Sequence, residues 1–458
     1  MRLPHRTELA AMTRLALPVV LAQVGLMAMG VVDTLMVGRV SAEALAAVAL
    51  GNLYFITIVI PASGTLMVLD PVVAQAVGAR DTEGIARGVQ RGFVLAAVLG
   101  AIVSIALVPV EPMLVVLHQP PVLVPLATSY VLISILGVLP FLAFVVLRQS
   151  LQAFGAMRVL LAVIVVANAT NAFLNWVFVY GHLGSPAMGA PGSAWATLVS
   201  RWLMAFLLLA FGWRSLKPAL VPWRHETLHV APLLAMLRLG LPIGFMQALE
   251  IGAFAAIGVL MGVLGTVEMA AHQIAINLAS LTFMVPLGVG SAAAVRVGHA
   301  AGAGNAEGAR ESARAALVCG VGFMVFTGIA LLAAPRAFAA LYTSEVPVAA
   351  LAATLIPIAG VFQVFDGIQA VCAGVLRGLG DTRAPFLINL AGFWLAGFPV
   401  SVVLGFHTSL GAVGLWWGFV AGLGAVAWLL LLRTRNRLRG AIARTHVEED
   451  VLHFATDP

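Results

Sequence analysis

Long apolar runs, broken by short stretches rich in charge, Gly and Pro, divide the chain into about twelve segments. Their limits read as 15–37, 45–73, 88–110, 122–147, 159–180 and 190–213 in the first half. In the second half they read as 239–264, 269–295, 313–334, 349–376, 385–406 and 411–433. Each supplies the roughly 20 apolar residues that a helix needs to cross a hydrocarbon core of about 30 Å. The second and eighth runs exceed a simple span, which predicts tilt or extension beyond the bilayer. The pattern predicts an all-α polytopic membrane protein with twelve transmembrane helices.

The same pattern repeats within the chain. Arg14-Leu15-Ala16-Leu17-Pro18 is echoed by Arg238-Leu239-Gly240-Leu241-Pro242, and Gln23 by Gln247. Gly38 pairs with Gly262, Ala46-Ala47 with Ala270-Ala271, and Pro61 with Pro286. Val77-Gly78-Ala79-Arg80-Asp81-Thr82-Glu83-Gly84 likewise matches Ala301-Gly302-Ala303-Gly304-Asn305-Ala306-Glu307-Gly308, and Gly155 to Arg158 matches Gly380 to Arg383. Each half holds six spans, an even number, so both enter the membrane from one side and the repeat is parallel, with its pseudo-two-fold axis along the membrane normal. The expected organisation is an N-terminal lobe over 1–213 and a cytoplasmic inter-lobe linker over 214–232, marked by Pro218, Pro222 and Pro232. A C-terminal lobe over 233–435 and a cytoplasmic tail over 436–458 follow. Two such lobes imply a cavity near the bilayer midplane, reached alternately from each side, which is carrier architecture.

Composition strengthens the membrane reading. Of 458 residues 61% are hydrophobic and 10% charged, and the mean hydropathy is +1.04. A soluble domain carries roughly 25% charged residues. The net charge of +6 therefore points to loops beside an anionic leaflet rather than to nucleic acid. With the N-terminus inside, every Lys and Arg among the 25 falls on the cytoplasmic side except Arg39, Arg336 and the mid-span Arg201. That predicts both termini in the cytoplasm and residence in a bacterial inner membrane. Met1 to Ala16 is polar and basic and does not read as a cleavable leader. Cys319 and Cys372 lie in apolar runs without metal-ligand spacing and read as small core residues.

In so apolar a chain, polar side chains inside the spans carry the chemistry, because a carboxylate at membrane depth costs several kcal/mol without a wet or polar surrounding. Asp33 in span 1, Glu250 in span 7 and Asp366 in span 10 lie well inside. Asp70 and Glu268, near span ends, read as interfacial. Two readings of Asp33 stand: an ion- or proton-binding group, or an acid near a helix end that reaches the headgroups. Counted back from Gly38, it belongs toward the outer leaflet of the first lobe. Glu250 and Asp366, if both face the interior, can share one Na⁺ or hold one proton between them; otherwise each is satisfied by its own amide or backbone partner. Asn171 and Asn175, four apart on span 5, share a helix face near Asp33 or act only as interhelical glue. Arg201 either neutralises an intramembrane acid or faces the cavity. Gln247 and His272 are further candidates to line that polar cavity, although a core His held by a carbonyl is the alternative for His272. Pro18 and Pro242 are hinge candidates, static kinks being the other reading.

No GxxxxGK[ST] loop appears and no loop is long enough for a nucleotide-binding domain, so ATP is not the direct energy source. No metal-ligand His/Glu motif or nucleophile elbow is present either, and no enzyme activity is expected.

Taken together, the chain resembles the multidrug and toxic compound extrusion (MATE) family, in its bacterial NorM-like branch, from Arg14 to about Arg433. The resemblance rests on Val31-Val32-Asp33-Thr34-Leu35-Met36-Val37-Gly38-Arg39, on Asn171 to Trp176, on Glu250, on Asp366, and on Gly374-Val375-Leu376-Arg377-Gly378-Leu379-Gly380-Asp381-Thr382. It implies a secondary antiporter that exports small organic, often cationic and amphipathic, compounds in exchange for H⁺ or Na⁺, without a cofactor. It implies roles in a first-lobe site for Asp33, Asn171 and Asn175, and in a second-lobe cation site for Glu250 and Asp366, the pair that would hold Na⁺. Relatives with such a Na⁺ site often carry Tyr one turn before the span 10 acid, where this chain has Phe362; H⁺ and Na⁺ both stay open. The expected partners are small organic substrates and membrane lipids, with the chain as a monomer. A flippase for lipid-linked or polysaccharide substrates is the alternative, and would want a cationic cavity where this chain offers only Arg201.

Overall fold

A computed structural model describes residues 4–445. Among them there is no strand, and the long helices number twelve when one bent pair is taken as a single span. They are α1 (Arg6–Gly38), α2 (Ala42–Gly78), α3 (Thr82–Leu107), α4 (Val124–Ile135 and Val138–Ala153, bent by 49°), α5 (Met157–Tyr180) and α6 (Ala190–Leu220). The second half gives α7 (Val230–Leu264), α8 (Thr266–Gly302), α9 (Ala306–Ala333), α10 (Val346–Gly378), α11 (Arg383–Phe406) and α12 (Gly411–Arg439). The twelve-span all-α architecture expected from hydropathy is the one found. Of the stretch 214–232, only residues 221–229 lie outside α6 and α7. Of the tail expected over 436–458, α12 claims the start as far as Arg439, and 446–458 lie outside the described residues.

The repeat is visible in the backbone. Arg80 (φ 56°) and Gly304 (φ 67°) hold the same left-handed turn position after α2 and α8. Glycine takes that conformation without strain, whereas Arg carries a steric cost there. The next residue caps the following helix in both halves: Asp81 Oδ1 accepts from the Gly84 N–H at 2.8 Å, and Asn305 Oδ1 from the Gly308 N–H at 2.8 Å. Such a side chain satisfies one of the orphan donors at a helix start. Gly155 (φ 73°) and Gly380 (φ 74°) repeat the correspondence before α5 and α11.

The helices form two compact units, one made of residues 21–77 and 81–244, the other of 4–20, 78–80 and 245–445. Thus α1 changes unit between Val20 and Leu21, and α7 between Gly244 and Phe245. Both helices also start earlier than hydropathy predicts, α1 at Arg6 rather than 15 and α7 at Val230 rather than 239. The added turns of α1 carry Arg6, Thr7, Glu8, Thr13 and Arg14, which hydropathy reads as loop, whereas those of α7 are apolar but for Arg238 and include Pro232. In the unit that contains 245–445, Glu8 of α1 is a carboxylate acceptor for Arg296 of α8 and for Ser312 of α9, the latter at 2.7 Å. In the other unit the start of α7 lies against α2, where a Cβ on Gly244 would meet the Pro61 carbonyl oxygen at 2.1 Å. Only glycine permits that approach.

Gly244→Ala should therefore force the start of α7 away from α2 and destabilise the protein by about 1–3 kcal/mol. Gly30→Ala, whose Cβ would meet nothing within 4 Å, should be neutral or slightly stabilising. Thermal melting of the two purified variants in one detergent checks this, and equal melting temperatures would contradict the contact.

Candidate functional site

The unit built from 21–77 and 81–244 encloses Asp33 of α1. Along α5 the buried residues Leu160, Ile164, Ala167, Asn171 and Asn175 recur every three or four positions, so both asparagines belong to its inward stripe. Asn171 and Asn175 are fully buried and Asp33 is 7% exposed. Asn175 Nδ2 donates to Asp33 Oδ1 at 2.6 Å, and Thr197 Oγ1 of α6 donates to Asp33 Oδ2 at 2.8 Å. The Asn175 amide also approaches the Asn171 carbonyl oxygen at 3.0 Å, while Asn171 Nδ2 and Asn175 Oδ1 are buried without a partner. The carboxylate thus has a neutral donor on each oxygen, with the Asn171 amide close enough to act on it as well.

Arg201, one turn after Thr197 on α6, interacts electrostatically with Asp33 and Tyr130 but forms no ion pair within 4.0 Å among the described residues. Its guanidinium carbon lies 4.4 Å from the centre of the Phe55 ring and 5.4 Å from that of Phe141. An aromatic face attracts a cation through its quadrupole, so the two rings hold the charge. Its Nη1 is buried and unpartnered. Thr197 is the residue that sequence reading missed; its spacing of four from Arg201 places both on one face of α6 and could have pointed to it.

The second unit holds Glu250 of α7 and Asp366 of α10. Asp366 is 4% exposed, and the two carboxylates are close enough to interact electrostatically. Asp366 Oδ1 has no hydrogen-bond partner, nor does Gln369 Oε1 one turn further along the helix. Phe362, one turn before Asp366, is fully buried. It packs edge-on to Phe254 (5.7 Å between centroids) and Trp416 (5.8 Å), and is stacked on Phe419 (5.2 Å). One face of α10 thus carries, in successive turns, a buried aromatic ring and two free acceptors. Beside Glu250, Trp394 Nε1 of α11 donates to the Leu249 carbonyl at 3.1 Å. Trp394 lies in a π-helical segment, Leu390–Gly397, a distortion found often at functional positions and not readable from hydropathy.

The remaining candidates take varied places. Gln247 is half-buried on α7, one turn before Glu250. His272 is 4% exposed with Nδ1 unpartnered, and its ring lies 5.6 Å from that of Trp416, so its surroundings are the aromatic core of its unit. Pro18 and Pro242 lie inside α1 and α7, each just before the point where its helix changes unit. Asp70, read as interfacial, is in fact 1% exposed and accepts from Gln149 Nε2 at 2.7 Å; the extension of α2 to Gly78 carries helix beyond it and encloses it.

The MatE family profile matches residues 18–177 and 242–403, one copy in each half of the chain. The chain belongs to the MatE family. A protein named multidrug resistance protein NorM from Burkholderia vietnamiensis is 40% identical to this MatE chain over 440 residues, covering 94% of each. A multidrug resistance protein MdtK from Edwardsiella ictaluri is 33% identical, covering 93% of this chain and 95% of its own. Among solved structures, the eukaryotic MATE transporter AtDTX14 superposes with a TM-score of 0.85 at 22% identity, over 98% of both chains. At that identity the likeness establishes the fold. The MatE match spans both acidic sites, with Asp33 in the first matched segment and Glu250 and Asp366 in the second.

The Asp33 site predicts an energetic coupling. In a double-mutant cycle of Asp33→Asn with Thr197→Val, read by thermal or denaturant stability, the pair should couple by about 0.5–2 kcal/mol. Additive effects would mean that the Thr197 hydroxyl does not support the carboxylate.

Proposed function

We propose that this MatE chain is a secondary active multidrug efflux antiporter that exports organic, often cationic and amphipathic, compounds in exchange for H⁺ or Na⁺ by alternating access. One observation carries the reading: the carboxylates of Asp33, Glu250 and Asp366 lie well inside membrane-spanning helices, and none of these three has an ion-pair partner within 4.0 Å among the described residues. Acids so placed are costly unless a transported cation or proton neutralises them during the cycle. At Asp33 the neutral donors Asn175 and Thr197 keep the carboxylate oriented without cancelling its charge, so a proton and an organic cation can occupy the site in turn. At Glu250 and Asp366 one proton bridges the acids, or Na⁺ binds them together with backbone carbonyls; a hard cation prefers such oxygen ligands. The Phe362 side chain contributes no oxygen there, which weighs toward H⁺. The names of the bacterial relatives support multidrug export. A flippase reading is not favoured, since an anionic headgroup needs cationic lining and Arg201 is held against Phe55 and Phe141.

In this reading the protein works as a monomer in the bacterial inner membrane, and the distribution of Lys and Arg supports both termini in the cytoplasm. Pro18 and Pro242 serve as the bending points of α1 and α7, because each breaks a backbone hydrogen bond close to the place where its helix changes unit.

Dye efflux from proteoliposomes under separately imposed Na⁺ and pH gradients tests this. Wild type should respond to one gradient. Asp33→Asn and Glu250→Gln should insert normally but lose at least about tenfold in rate, and Pro18→Ala should slow transport without abolishing dye binding. Response to neither gradient would refute antiport, and full activity of both acid variants would remove the carboxylates from the mechanism.

A further inference from the structure

The unit containing 245–445 has a second polar feature, away from its acids, at the end of α12. Four arginines occupy the last two turns of that helix and divide into two pairs. Arg433 and Arg437, four apart, turn to one carboxylate: Arg433 Nε lies 2.7 Å and Arg437 Nε 3.4 Å from Asp381 Oδ2. Arg435 and Arg439, also four apart, turn to a different face and line a cleft of about 400 Å³ against the start of α9. Across the cleft stand Arg310 and Arg314 of α9, and its apolar floor includes Leu317 and Leu431. Arg310 Nε donates to the Leu438 carbonyl at 2.8 Å and so fixes the two helices to each other.

The charges in this cleft do not balance. Arg310 and Arg314 share two acids on their own helix: Glu307 lies 3.2 Å from Arg310 Nη1 and 3.5 Å from Arg314 Nη1, and Arg314 also pairs with Glu311. Arg435 and Arg439 are exposed and have no carboxylate within 4.0 Å among the described residues. Among the described residues, two guanidinium groups are thus left without an anion, over an apolar floor at the end of two membrane-spanning helices. A uniform excess of cytoplasmic charge accounts for arginines on α12; it does not account for the sorting of two onto Asp381 and two into a floored cleft.

We propose that this cleft is a binding site for the phosphate headgroup of an anionic phospholipid, which Arg435 and Arg439 hold while an acyl chain lies along Leu317 and Leu431. Guanidinium forks match phosphate oxygens in pairs, and basic pockets between membrane helices take such headgroups. The cleft is large enough for a glycerophosphate group, at the lower end of the range for small-ligand sites. Phospholipid is favoured over free phosphate because the arginines end a membrane span and the floor is apolar. The proposal does not depend on the transport reading.

The test uses the full chain purified in a non-ionic detergent, titrated with dioleoylphosphatidylglycerol, dioleoylphosphatidylcholine or inorganic phosphate. Native mass spectrometry reads the adducts and thermal melting reads the stabilisation. Arg435→Gln/Arg439→Gln is compared with Arg158→Gln/Arg383→Gln, which removes two exposed arginines outside the cleft. Phosphatidylglycerol retention should fall about tenfold in the first variant and less than about twofold in the second. Both variants should melt with the wild type when no lipid is added. Equal loss in the two variants, or equal retention of the two lipids by wild type, would overturn the proposal in favour of diffuse surface charge. Displacement of phosphatidylglycerol by low millimolar phosphate would overturn it in favour of a free-anion site.

Discussion

A carboxylate in the hydrocarbon layer has no bulk water to solvate it, and that constraint organises most of what is specific in this protein. Asp33 tolerates burial because Asn175 and Thr197 each bring a neutral donor to one of its oxygens. That in turn requires α5 to turn its asparagines inward and α6 to bring Thr197 and Arg201 to the same face. The cation is kept from pairing with the acid by Phe55 and Phe141, which hold the guanidinium over their rings. Direct pairing would satisfy both charges and leave nothing to exchange. Under the proposed function, neutral donors on the acid and aromatic faces on the base leave an oriented charge for a mobile cation to neutralise.

The two halves share a backbone and differ in this chemistry. The turn at Arg80 and Gly304, the caps at Asp81 and Asn305, and the glycines at 155 and 380 are common to both. The position equivalent to Asp33 in the second half is Ile257, which is buried in the apolar core. There the acids come from α7 and α10 instead, beside an aromatic cluster centred on Phe362. A duplicated scaffold thus carries two sites of unlike composition, one acid among amides and one pair of acids.

How much of this the sequence made legible depended on the kind of signal. Hydropathy found all twelve spans because the membrane imposes a long apolar run on each. It lost the start of α7 behind Pro232 and Arg238. It lost that of α1 because Glu8 is satisfied by Arg296 and Ser312 rather than by water, and a satisfied polar residue looks like loop to any hydropathy scale. It took Asp70 for interfacial because the residue lies near the end of its apolar run, whereas Gln149 of another helix satisfies it inside the protein. The repeat and the intramembrane acids could be read from residue identity alone. Thr197 was signalled only by its spacing of four from Arg201, and the π-helical segment around Trp394 and the cage of Arg201 could not be read at all, since each depends on which helix faces meet in space. For the same reason the passage of α1 and α7 between units was invisible in the sequence, although Pro18 and Pro242 stood at matching positions in both halves.

The central claim is that these acids are occupied by the coupling ion and by the exported cation in turn. The most direct measurement is binding of tetraphenylphosphonium to the purified protein in weakly buffered detergent solution, with pH and Na⁺ dependence followed together. Binding should release protons, or weaken as Na⁺ is added, and the response should vanish in a protein carrying both Asp33→Asn and Glu250→Gln. Tight binding that neither releases protons nor competes with Na⁺ would contradict the account.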